Sequence, residues 1–113
     1  MLRGMGAGSG NGVQVSAEGS LRLAELFENA ARQMGVSAIR ARDELDIGLI
    51  YDESNTFYKG GQQAPMVTLS WQGWQDDSHT ARDVLETISV EKLEASGRTL
   101  AMGLMILARE TNY

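Results

Sequence analysis

The only histidine, His79, stands in the run Asp76-Asp77-Ser78-His79-Thr80-Ala81-Arg82-Asp83. A neutral imidazole is a good ligand for zinc, and nearby carboxylates can orient it or share the ion. One histidine does not make a catalytic zinc site, which usually takes three protein ligands. A metal here therefore needs carboxylate partners or ligands from outside the chain; without them a single imidazole in a polar loop is a solvated bystander. Asp76 and Asp77 could together bind a hard cation or exchange protons, or form a solvated turn. The same alternatives hold for Asp43, Glu44 and Asp46 and for Asp52 and Glu53, which lack EF-hand spacing. Trp71 and Trp74 flank the histidine loop. Indoles beside polar groups form the walls of ligand pockets, and they serve equally as core or interface anchors.

Other chemistries find no support. There is no G-x-S-x-G elbow for a serine hydrolase. Glycines at 4, 6, 8, 10 and 12 suggest a phosphate loop, but the G-x-G-x-x-G spacing and the Walker lysine are missing. Residues 1–12 are expected to be a flexible, glycine-rich lead-in. Ten basic against fifteen acidic residues leave a net charge of −5, which disfavours nucleic acid and an anionic membrane surface as partners. There is no cysteine, so disulfides and thiolate metal sites are excluded. No apolar run approaches the roughly 18 residues of a membrane span. The N-terminus lacks the layout of a signal peptide.

The elements that must carry these residues follow from periodicity. A length of 113 residues with 42% apolar content fits one globular domain. Val13–Ala17 alternates as a strand. Ser20 is placed to cap a helix over Leu21–Met34, with Gly35 at its left-handed end. Val36–Ala41 reads as a second strand. Pro65–Trp71 reads as a third, with apolar residues so nearly continuous that both faces are expected to be covered. Ser89 can cap a last helix in which Val90, Leu93, Leu100, Leu104 and Leu107 keep helical spacing. Gly97 and Gly103 interrupt that helix and are expected to let it lie close on a sheet. Strands alternating with helices give an α/β fold, a mixed sheet flanked by helices.

The string SHTARDVLETISVEKLEASGRTLAMGLMILARE resembles the C-terminal end of the co-catalytic di-zinc aminopeptidases. These are the bacterial leucyl-aminopeptidase-like metallopeptidases, peptidase family twenty-eight, with glutaminyl cyclases and glutamate carboxypeptidase-type proteins as relatives. Members end in a His-Thr-Pro-x-Asp motif, a short Leu-Asp-Pro-Glu-Lys-Leu phrase and a long helix. His79-Thr80-Ala81-Arg82-Asp83 matches the motif except at the proline, and Ile88-Ser89-Val90-Glu91-Lys92-Leu93 resembles the phrase. Upstream, SNTFYKGGQQAPMVTLSW resembles a Ser-Asp-His-x-x-Phe segment followed by Gly-Ile-Pro and an apolar strand. Ser54, Phe57 and Pro65 match, while Asn55 and Thr56 replace the Asp-His pair. The resemblance runs from about Val13 to Arg109.

It implies that His79 is the last zinc ligand and that Asp83 serves in local hydrogen bonding or capping. It implies that Trp71 and Trp74 border the specificity pocket. The family's other ligands, a histidine, a bridging aspartate, a glutamate and a further aspartate, lie earlier, as does the glutamate that is the general base. Met1-Leu2-Arg3-Gly4 resembles the phrase that follows the last of these aspartates. Residues 13–113 then correspond to the C-terminal portion of a zinc-peptidase-like α/β domain, with two zinc ions and a peptide substrate belonging to the complete domain. The isolated chain is expected to be inactive, and its half-sheet to self-associate into a dimer or higher oligomer. The alternative is a non-catalytic binding or dimerisation domain on the same fold.

Overall fold

The computed structural model describes residues 2–40, 58–59, 62–63, 65–76 and 78–110. Strand β1 (Leu2–Arg3) is followed by β2 (Gly12–Glu18), helix α1 (Leu21–Gln33) and β3 (Ser37–Arg40). Next come a two-residue ladder of β4 (Tyr58–Lys59) with β5 (Gln62–Gln63), then β6 (Met66–Trp71) and helix α2 (Val90–Leu107). The main sheet has the order β1-β6-β2-β3, in which β1 runs parallel to β6, β2 antiparallel to β6, and β3 parallel to β2. This is a small α/β fold: a mixed four-stranded sheet with two helices. None of the described helices is long and apolar enough to cross a membrane.

Register decides which side chains meet. Val13 lies opposite Trp71, Val15 opposite Leu69, and Ala17 opposite Val67. Residues directly opposite each other project from the same face, so these six form one apolar surface. Leu23, Ala24, Leu26 and Phe27 of α1 close over it. Gln14, Ser16, Thr68 and Ser70 take the other face. β6 is thus an alternating strand: the described helices close over one face, and on the other Ser70 is also buried and Thr68 half-buried.

α1 forms where its signals lie. The Ser20 hydroxyl accepts from the Leu23 N–H at 3.2 Å, and Gly35 ends the helix at φ +70. The helix links β2 to the parallel β3, the crossover that a parallel pair requires.

α2 meets α1 through small residues. The row at helical spacing is split: Leu100 and Leu107 pack against the core, while Val90 is 73%, Leu93 49% and Leu104 51% exposed. The buried positions are Ser96, Thr99 and Gly103. The cause is steric, because a Cβ on Gly103 would overlap the ring edge of Phe27. Small residues at 96, 99 and 103 let α2 approach α1, and Val90, Leu93 and Leu104 are left exposed. Gly103 therefore serves helix-to-helix contact rather than helix-to-sheet contact, while a Cβ on Gly97 would meet nothing within 4 Å. The Thr99 hydroxyl is satisfied, donating to the Ala95 carbonyl at 2.9 Å. The Ser96 hydroxyl is buried and has no partner among the described residues.

Two substitutions on this face should move stability in opposite directions. Gly103→Ala should cost about 1–3 kcal/mol through overpacking. Ser96→Ala should be neutral or stabilising by up to about 1 kcal/mol, because it removes an unsatisfied buried hydroxyl. Urea titration reads both, and a destabilised Ser96→Ala protein would contradict the packing.

Candidate functional site

β1 and β6 are parallel, so their carboxyl ends lie at the same edge of the sheet. β2, antiparallel to β6, starts there. Open α/β sheets bind ligands at the carboxyl ends of their strands. At this end the structure gathers residues 4–11, the loop after β6, and the first turn of α2.

The glycine-rich segment is a strap rather than a free lead-in. The Gly10 N–H donates to the Gln72 carbonyl at 2.9 Å, and the Gln72 N–H donates to the Gly12 carbonyl at 2.9 Å. Further on, the Ser89 N–H donates to the Gly6 carbonyl at 2.8 Å, joining the strap to the N-terminus of α2. Lys92 Nζ donates to the Gly8 carbonyl. Gly8 has φ +121, and a Cβ there would sit 2.6 Å from the Gln72 carbonyl oxygen. Only glycine combines that backbone with that approach.

The two tryptophans separate. Trp71 belongs to the core, only 5% exposed, with its indole N–H donating to the Gly10 carbonyl at 2.6 Å and Lys92 Nζ 5.9 Å from its ring centre. Of the roles open to it, the structure gives it that of a core anchor and not an open wall. Trp74 is half-buried in a 3-10 turn, Trp74–Asp76, with the Arg3 guanidinium 5.7 Å from its ring.

His79 is exposed and has φ +59, the only described residue other than glycine in the left-handed region. Histidine tolerates that region better than most residues, but the conformation is uncommon. The turn is held from its other side. The Arg82 N–H donates to the Thr80 hydroxyl at 3.2 Å, the Asp83 N–H to the Thr80 carbonyl at 3.1 Å, and Arg82 Nη2 to the Asp76 carbonyl at 3.0 Å. The imidazole itself makes no hydrogen bond or ion pair among the described residues. Asp83 is exposed and does not cap the 3-10 turn that follows. The N-cap of that turn is Val84, one residue later, and it has no side-chain capping bond. The local hydrogen bond Asp83 does make runs through its backbone.

Among the described residues no three His, Asp or Glu side chains converge as a metal site would need. Asp76 is exposed, in the turn before His79. Asp77, Asp43, Glu44, Asp46, Asp52, Glu53, Ser54, Asn55, Thr56 and Phe57 lie outside the described residues.

Sequence reasoning missed Lys92 and the strap. The signal was available in the glycine periodicity, because glycine at every second position also suits a backbone lying against another backbone. An apolar groove of about 290 Å³ opens elsewhere, between β6, α1 and α2, lined by Leu2, Leu23, Phe27, Met66, Leu100 and Leu104 among others. Its lining side chains are all apolar, without the few placed polar groups that orient a small ligand.

A scan against protein-family models finds no match, and neither the curated proteins nor the solved structures contain a match to this chain.

Strain at His79 is measurable. His79→Gly should raise stability by about 0.5–1 kcal/mol, a few degrees in Tm, since glycine enters the left-handed region freely. His79→Val should lower it, because a β-branched residue is a true outlier there. Equal melting temperatures for the two variants would contradict the geometry.

Proposed function

We propose that the chain is the C-terminal part of a zinc-dependent aminopeptidase domain, to which it supplies His79 as one metal ligand, and that alone it is catalytically inactive. The observation that carries the reading is the state of His79. An exposed imidazole, without a partner among the described residues, is held in a strained backbone conformation at the carboxyl end of the parallel pair, within a His-Thr-x-x-Asp phrase. Strain of this kind concentrates at functional sites because surrounding contacts enforce it. Here those contacts are the Thr80 and Arg82 bonds, which fix the turn and leave the ring in solvent.

In a complete domain of this type the metal pair activates water and polarises the scissile carbonyl. The contribution of this chain is narrower. It presents one imidazole on a braced turn, and the strap and Trp74 shape the surface beside it. Hydrolysis of N-terminal residues from peptides would require the remaining ligands from a preceding segment. The exposed apolar row of α2 favours a second reading, a non-catalytic assembly module on the same fold.

Zinc binding separates the two readings. In the chain alone, added Zn²⁺ should shift the His79 ring resonances with a dissociation constant weaker than about 10 μM, and His79→Ala should abolish the effect. In the longer polypeptide that this reading requires, two zinc ions per chain and release of N-terminal residues are expected, both lost in His79→Ala. Less than one zinc per longer chain, or turnover unchanged by His79→Ala, would overturn the peptidase reading and favour the assembly module.

A further inference from the structure

Seven of the ten large hydrophobic residues exposed among the described residues fall between Val84 and Met105. Such clustering is unlike the scattered exposure of ordinary surfaces. On α2 Val90, Leu93, Gly97, Ala101 and Leu104, spaced by three and four residues, form an exposed row beside the face that meets α1, with Leu104 at the rim of the apolar groove. Gly97 sits at the middle of this row. A Cβ there would meet nothing within 4 Å, so no contact among the described residues requires glycine, although it weakens the helix by about 1 kcal/mol against alanine. Beside the row lie Glu94 and Arg98, paired at 3.8 Å with both side chains more than half exposed.

We infer that this row is the interface of a two-fold dimer in which α2 packs antiparallel against α2 of a second copy, crossing at Gly97. The order of the side chains is the argument. With the axis at Gly97, glycine meets glycine, the smallest contact at the closest approach. Val90 comes level with the partner's Leu104, and Leu93 packs beside that same leucine. In antiparallel two-fold pairing each flank of a helix faces the same flank of the other. Glu94 therefore stands only two residues, about 3 Å along the axis, from the partner's Arg98, and the pair repeats on the far side of the axis. Two acid–base contacts across the interface accompany the apolar row, and a closed two-fold contact ends growth at the dimer. The face needs no zinc and does not involve His79, so the inference stands apart from the peptidase reading.

A single 18-residue helix pairing with its copy makes a small interface, so the affinity should lie in the micromolar range. Sedimentation at about 100 μM should give a mass near twice 12.3 kDa, falling towards the monomer on dilution. Gly97→Gln should remove the dimer while leaving the helical circular dichroism unchanged or stronger, which separates loss of contact from loss of fold. Glu94→Arg alone and Arg98→Glu alone should each weaken the dimer at least tenfold. An equimolar mixture of those two variants should dimerise again, because each then presents the charges the other lacks. A wild-type monomer at this concentration would overturn the proposal and leave the face to a different partner. A dimer indifferent to Gly97→Gln would also overturn it, placing self-association elsewhere, for instance on the open edge of β1.

Discussion

The contact between the glycine-rich strap and the loop after β6 is the constraint on which the candidate site depends. Backbone there lies on backbone, and the reciprocal bonds between Gly10, Gly12 and Gln72 extend the β2–β6 pairing past the end of both strands. Trp71 closes the same junction from inside by donating its indole N–H to Gly10. Lys92 reaches in from the first turn of α2, so one lysine ties strap, helix and tryptophan together. The loop that follows β6 leaves from this junction.

Much of the scaffold was legible in the sequence, because its signals are local. Ser20, Gly35 and Ser89 each sit where a cap must sit, and each does that job. The alternation of Val13, Val15 and Ala17 gave β2 its inner face. What was not legible involves contacts between distant segments. Periodicity places Val90, Leu93 and Leu104 on one side of α2 but cannot say which side meets α1. Phe27 decides that, since its ring leaves room only for Gly103. Likewise, glycines 4 to 12 look featureless until Gln72 and Trp74 are brought beside them.

The candidate site was legible as composition and not as geometry. The types at His79, Asp83, Trp71 and Trp74 pointed to one loop, and that loop exists. Their roles differ in kind, however. Trp71 anchors the core, Asp83 acts through its backbone, Trp74 shapes the surface under Arg3, and His79 alone presents an uncommitted donor. No spacing rule foretells a positive φ at His79, because the bonds that enforce it come from Thr80 and from Arg82 folding back on Asp76.

The strap ties the loop after β6 to the first turn of α2, the helix that carries the exposed row. The most direct test is amide hydrogen exchange at Gly10 and Gln72, whose N–H groups are the two reciprocal donors. If the strap is part of the fold, both amides exchange slowly and lose protection only with the free energy of global unfolding. Exchange of both at the rate of an unstructured peptide would contradict the account, leaving residues 4–12 a free tail.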